Sequence, residues 1–392
     1  MKEIRVLYSF PYRMGKDRIC NTAYYQVYGL VKSGAKVTVL TGSLSKNIPD
    51  HIKLIKTLSI FNIRIPIRII GRWWACILHD WITSIWLKKH SAEIDIFHGW
   101  PLGSLLTLKV AKKLGIKTFL ERPNAHTSFA YRVVKEENIK LKFDLPFGHD
   151  HNFNARYLKR EKEEYEIADY LLCPSDFVIK TFINEGFKFE KLRRHQYGFD
   201  ENKFKLGNQQ YNRTRGLVVL YAGVGEPRKG LHLALEAWIS SEAYDYGKFI
   251  ICGDILPAYF NKISLLLKFP GVEILGVRSD LADLMKKSDV LVLSSVEEGS
   301  ALVTYEARAA GCVILVSEAS GAICHHEIDS LVHPVGNVDV LRRHFSLVNR
   351  DRNFLAKLRE ESVKTSKNLT WDFAGIRLKN VYIISPETHK FF

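Results

Sequence analysis

The sequence predicts an α/β protein built from two doubly wound parallel-sheet domains. Three observations predict it. Short apolar runs alternate with longer helical patterns, the series restarts after a polar stretch at 201–215, and 392 residues suit two domains of about 200 residues each. Hydrophobic residues make up 46% of the chain, enough for two cores.

In residues 1–200 the strand candidates are 4–10, 37–41, 94–98, 117–121 and 170–174, each a short apolar run. Helical pattern fills 20–32, 67–89, 105–114, 155–167 and 177–184, most of them closed by Gly or followed by a strand. The run Lys205-Leu206-Gly207-Asn208-Gln209-Gln210-Tyr211-Asn212-Arg213 is polar, as a linker between domains is, and sets a boundary over 201–215. A second series then gives strands at 216–222, 248–252, 272–275, 290–294 and 313–317, within a second domain spanning 216–370. Its helices fall at 231–241, 259–268, 281–288, 303–310 and 338–348. The segment from Trp371 through Tyr382 is helical in pattern, so 371–392 is expected to cross back to the first domain. The two domains are expected to face each other across a central cleft.

The formal charge of +15 is unevenly spread, with 33 Lys and Arg against 20 Asp and Glu in residues 1–200. A basic first half attracts anionic lipid headgroups, acidic carbohydrate intermediates or nucleic acid. No zinc-finger spacing or RNA-binding aromatic motif is present, which ranks nucleic acid last. The six cysteines lack any CxxC pair and read as reduced residues of a cytoplasmic protein. The start reads as a strand rather than a signal peptide, and no apolar run approaches the ~18 residues needed to span a bilayer. The chain is expected to be soluble, or peripheral at the inner face of a membrane.

Chemistry concentrates in Glu298-Gly299-Ser300-Ala301-Leu302-Val303-Thr304-Tyr305-Glu306, which follows an apolar strand and opens a helix closed by Gly311. Beyond the carboxyl end of a parallel strand, the amides of Ser300, Ala301 and Leu302 offer donors to a phosphate. Glu298 reaches a sugar hydroxyl from the loop, and Glu306 accepts from the two hydroxyls of a ribose, which together describe a nucleotide-sugar pocket. Acidic residues near a helix start are also favourable for dipole reasons alone, so the neighbouring motifs decide. Glu226-Pro227-Arg228-Lys229-Gly230 is the weightiest neighbour: it lies at another strand-to-helix turn, where Lys229 and Arg228 neutralise a diphosphate leaving group.

Together these two motifs resemble the retaining glycosyltransferases of the GT-B fold, family 4 (group 1) type. Ala168-Asp169-Tyr170-Leu171-Leu172-Cys173-Pro174-Ser175, Tyr197-Gly198-Phe199-Asp200 and Glu121-Arg122-Pro123-Asn124-Ala125-His126 resemble further family segments, so the resemblance covers nearly the whole chain. It implies transfer of a hexosyl group from a nucleotide sugar, UDP- or GDP-linked, to a glycan or lipid-linked acceptor hydroxyl. The anomeric configuration is retained and no metal or other cofactor is obligatory. The absence of an Asp-x-Asp agrees, since cations and amides must then hold the diphosphate. By the same resemblance Glu298, His126 and Lys229 are the catalytic group. Gly15 lets backbone approach the phosphates, and Val277 packs against the nucleobase. Such enzymes serve bacterial surface polysaccharide or glycolipid synthesis.

Three departures stand out. Val224 occupies the family's usual Arg position, Ala301 stands where the family has a Gly in the phosphate loop Ser300-Ala301-Leu302, and no Gly-Gly pair follows the first strand. Arg13, Lys16 and Arg18 are candidates to replace the lost cation. These changes also admit a non-catalytic nucleotide-sugar-binding partner of another enzyme. Residues 64–89 combine Arg64, Arg68, Arg72, Lys88 and Lys89 with Trp73, Trp74, Trp81 and Trp86, which fits a membrane-surface helix or a core helix with snorkelling cations. His149-Asp150-His151 and His325-His326-Glu327 lack the spacing of a zinc helix and read as loop residues.

Overall fold

A computed structural model describes residues 3–60, 63–206 and 216–383. Part of the expected linker, 207–215, and the end of the chain from 384 lie outside the described residues. The chain divides into two compact units: Met1–Thr127 with Asn154–Tyr197 and Trp371–Phe392, and Ser128–Phe153 with Gly198–Thr370. Residues 128–153, expected in the first domain, thus fold with the second unit.

The first unit opens β1 (Arg5–Met14), α1 (Arg18–Lys32), β2 (Lys36–Leu44) and β3 (Lys53–Lys56), followed by the short antiparallel pair β4 (Ser59–Ile60) and β5 (Ile63–Arg64). Next come α2 (Ile67–Ile70), α3 (Arg72–His90), β6 (Ile96–Gly99), α4 (Leu105–Lys113) and β7 (Lys117–Glu121). Helix α5 (Thr127–Lys140) carries the chain into the second unit. The first unit resumes with α6 (Ala155–Ile167), β8 (Tyr170–Cys173), α7 (Asp176–Asn184) and β9 (Leu192–Arg194). The seven-stranded sheet has the order β3-β2-β1-β6-β7-β8-β9, and every pairing is parallel.

Alternation along β1 shows why the sheet is covered twice. Val6, Tyr8 and Phe10 join one buried cluster, while Leu7 joins another with Leu87, Leu108, Tyr165 and Phe182. Each fully buried side chain of this kind is worth about 1.5–3 kcal/mol, so both faces are needed. The expected helix over 67–89 is broken. Gly71, at φ +77, caps α2 and starts α3, a conformation that costs glycine little.

The second unit runs β10 (Val218–Ala222), α8 (Leu231–Ile239), β11 (Lys248–Cys252), α9 (Pro257–Lys262), α10 (Ser264–Leu267), β12 (Val272–Gly276) and α11 (Leu281–Lys287). It continues through β13 (Val290–Leu293), α12 (Leu302–Ala310), β14 (Val313–Ser317), β15 (Ser330–His333), α13 (Val338–Arg350) and α14 (Arg352–Ser366). Its six strands pair in parallel in the order β12-β11-β10-β13-β14-β15. The strand order reverses at β10 and β13, the point where open α/β sheets take ligands.

Helix α15 (Trp371–Ile383) closes the first unit by packing on α1. Gly29 and Gly375 meet backbone to backbone, and a Cβ at Gly375 would sit 2.3 Å from the Gly29 carbonyl carbon. Trp371 stacks on Tyr25 at 5.1 Å, and Lys32 pairs with Asp372.

Candidate functional site

Both loops that carry the second unit's motifs leave the carboxyl ends of the two strands flanking the order reversal. One follows β10 and holds Glu226–Gly230; the other follows β13 and holds Glu297–Leu302. They are tied together by the Val296 amide, which donates to the Arg228 carbonyl at 2.8 Å. Gly230 makes this approach possible: its φ is +65, and a Cβ there would lie 2.0 Å from the Ser294 carbonyl oxygen. Only glycine combines that left-handed backbone with that contact.

Arg228 lies among three buried carboxylates. Its Nε donates to Glu226 Oε1 at 3.0 Å, and Nη1 donates to the Glu297 carbonyl at 2.9 Å. Nη1 also lies 3.3 Å from Glu297 Oε2 and 3.4 Å from Glu298 Oε2. Lys229 pairs with Glu298 Oε1. Glu226, Glu297 and Glu298 are 4%, 0% and 7% exposed, so each depends on these partners for its charge. Burial alone would raise the Glu226 pKa, but the bond from His149, with Arg228, His151 and Lys229 nearby, holds it down at about 2.

Helix α12 begins at Leu302 with Ala301 as its cap and ends on Gly311 in the left-handed region. One expected phosphate donor is already engaged, because the Ala301 amide donates to the Ser320 carbonyl at 3.2 Å. The Ser300 hydroxyl bonds Tyr305 and, at 3.3 Å, the Gly321 carbonyl. Glu306 sits in the second turn of α12. Burial pushes its carboxyl up to about 7, with Lys203 opposing the rise and Asp200 adding to it. Val277 follows Gly276 at the end of the edge strand β12 and is 71% exposed.

Two expected site residues belong to the first unit. Gly15, after β1, has φ +80, and its amide donates to the Cys20 carbonyl at 2.7 Å. His126 is 1% exposed and walled by Tyr165, Phe182 and Phe187 at 5.2, 5.0 and 5.8 Å between ring centres. The ring has almost no surface open to a bound sugar. Glu121 of the same motif is structural: fully buried, it accepts from His195 Nε2, Tyr197 Oη and Gln26 Nε2, each at 2.9 Å. Burial favours its neutral form, yet His195 and His98 outweigh this and hold its pKa well below the usual carboxylate range.

Sequence reading missed Glu297 and the two histidines that complete the cluster. His149 Nε2 lies 3.0 Å from Glu226 Oε2, and His151 Nε2 lies 3.4 Å from Glu297 Oε2. The adjacent Glu297-Glu298 pair was the available signal, since neighbouring carboxylates in a buried loop require cations nearby.

Two parallel-sheet α/β units of this kind define the GT-B glycosyltransferase fold. Sucrose-phosphate synthase from Thermosynechococcus elongatus shares it, with a TM-score of 0.69 at 17% identity over 97% of this chain and 98% of that one. Anabaena HepE in complex with UDP does so too, with a TM-score of 0.65 at 15% identity over 97% of this chain and 100% of that one. Residues 202–365, less than half of the chain, match the family described as Glycosyl transferases group 1. A stretch of 113 residues is 30% identical to the N,N'-diacetylbacillosaminyl-diphospho-undecaprenol alpha-1,3-N-acetylgalactosaminyltransferase of Campylobacter jejuni. That stretch spans 28% of this chain and 30% of the relative. Family match and fold together support a group 1 glycosyltransferase.

Proposed function

We propose that the chain is a retaining glycosyltransferase that moves a hexosyl group from a UDP- or GDP-linked sugar to an acceptor hydroxyl, without an obligatory metal. The observation that carries this reading is the pair of loops at the β10/β13 reversal, which presents Arg228 and Lys229 side by side against Glu298. In the structure these cations pair with carboxylates. A diphosphate takes over the same cations and leaves Glu298 to accept from the donor sugar's hydroxyls. The Leu302 amide at the start of α12 adds a donor, and Glu306 in its ionised form accepts from the ribose. Departure of the diphosphate on the face the acceptor attacks then needs no separate base, because a leaving phosphate oxygen takes the acceptor proton. The transition state gathers charge on that oxygen, where Lys229 and Arg228 stabilise it.

The acceptor in this reading is a glycan or a lipid-linked sugar of a bacterial surface polysaccharide or glycolipid. The undecaprenol-linked acceptor in the Campylobacter relative's name favours the lipid-linked form. Peripheral contact with an anionic membrane belongs to the same proposal and rests on α3. Its Trp74 and Trp81, 60% and 53% exposed, lie seven residues apart on one helix face, and Lys88 extends that face by another seven. Trp73 is instead stacked on Tyr157 at 5.7 Å beneath Arg156.

A panel of UDP-, GDP- and ADP-sugars tests the reading through release of nucleoside diphosphate. Lys229→Ala is expected to lower turnover about 100-fold, the usual effect of removing one charge-stabilising donor, with a smaller change in donor affinity. Glu306→Ala is expected to raise the donor KM instead. Wild-type turnover in Lys229→Ala would remove its leaving-group role. Ligand-dependent stabilisation without any turnover would favour the non-catalytic partner.

A further inference from the structure

Residues 128–153 are anchored on the second unit by a buried polar relay. Glu137 Oε1 of α5 lies 3.0 Å from His232 Nε2 of α8, and His232 Nδ1 lies 2.8 Å from Tyr259 Oη of α9. Phe143 packs edge-on to Tyr259 at 5.9 Å. Beyond this anchor the segment places His149 and His151, whose side chains are 19% and 13% exposed, on the carboxylates that hold Arg228. The His151 amide donates to His149 Nδ1 at 3.3 Å. That contact assigns the neutral ring's proton to Nε2, where it is donated to Glu226.

The charge balance of the cluster is unfavourable for an anion. Glu226, Glu297 and Glu298 set three negative charges against the two of Arg228 and Lys229. With neutral imidazoles the cluster is net negative, and a diphosphate adds more negative charge. Releasing Arg228 to a phosphate also strands Glu226 and Glu297 as buried carboxylates unless something else holds them. His149 and His151 are the groups in place to do so.

We propose that His149 and His151 are positioning residues for the nucleotide sugar: they retain Glu226 and Glu297 when the diphosphate engages Arg228. This rests on the donor-site reading above. Charged or titratable groups facing the pair are Glu226, Arg228, Lys229, Glu297 and Glu298, with Asp150 between them in sequence and Tyr221 and Tyr259 behind Glu226. The informative quantity is the ratio of dissociation constants, variant over wild type, at one pH.

The test is calorimetric titration of the full chain with whichever UDP-, GDP- or ADP-sugar gives the largest thermal stabilisation. Gln keeps an N–H donor at each position and Ala keeps none. His149→Ala/His151→Ala is therefore expected to raise the dissociation constant about tenfold, the size of a lost hydrogen bond to a charged group, and His149→Gln/His151→Gln to restore most of the affinity. Wild-type affinity in the Ala pair, or an equal loss in the Ala and Gln pairs, in variants that retain the wild-type melting profile, overturns the proposal while the donor site stands. If no nucleotide sugar binds the wild type, the proposal and the donor-site reading fall together.

Discussion

Glu306 shows how a single side chain links site and stability. Its folded pKa is raised to about 7 from an unfolded value of 4.5, so between these values the folded state holds a proton that the unfolded state has lost. Stability from this group is complete below pH 4.5 and disappears as pH rises through 7. Glu306→Gln removes the titration. Wild type and variant should therefore differ by an amount that changes by about 1–3 kcal/mol between pH 4.5 and 8, the wild type losing relative to the variant as pH rises. Urea unfolding at the two pH values reads this difference, and an equal difference at both would contradict the buried setting of the carboxyl. On the proposed reading, donor binding supplies ribose hydroxyls to the ionised form and so draws the same pKa down. Gly230, by contrast, contributes a left-handed backbone and space: its missing Cβ lets the two loops meet.

Elements were legible where burial wrote them plainly. Strands β10, β13 and β14 are covered on both faces and appear as continuous apolar runs such as Val290-Leu291-Val292-Leu293. The edge strands of the first sheet were not. Lys53-Leu54-Ile55-Lys56 and Leu192-Arg193-Arg194 are short and carry charge, as edge strands often do, and neither was predicted. Helix α5 also escaped, because its apolar residues are diluted by Lys135, Glu136, Glu137 and Lys140. Helix α3 was expected to continue from α2, and only the positive φ of Gly71 separates them. That helix carries its own prediction. If its outer face meets lipid, the chain should sediment with vesicles containing anionic phospholipid, and Trp74→Ala/Trp81→Ala should weaken this by about 30-fold or more, since each buried Trp contributes on the order of 1 kcal/mol or more. Binding unchanged in the double variant, or equal on neutral vesicles, would return α3 to a purely structural role.

At the scale of the molecule, each unit keeps a buried carboxylate ionised with histidines. Glu121 is held by His195 and His98 in the first unit, and Glu226 by His149 in the second. Both acids sit in motifs that the sequence displays, yet one stabilises a core and the other lines the candidate site. Residue type and local spacing did not separate these roles. The difference lies in long-range partners: Arg228 and Glu297 stand 69 positions apart, and His149 reaches Glu226 from a segment that the sequence places with the first domain. Positions of Glu298, Lys229, Arg228 and Glu306 around one strand reversal were legible because turns after parallel strands can be read locally. Burial of His126 was not, since its aromatic wall comes from α6, α7 and the loop after α7.

A crystal structure of the full chain soaked with the stabilising nucleotide sugar tests the central claim most directly. The account predicts the diphosphate within hydrogen-bonding distance of Lys229 Nζ and the Arg228 guanidinium, with Glu298 released toward the sugar and Glu306 on the ribose. Phosphates bound elsewhere, with the Lys229–Glu298 and Arg228–Glu297 pairs intact, would contradict it.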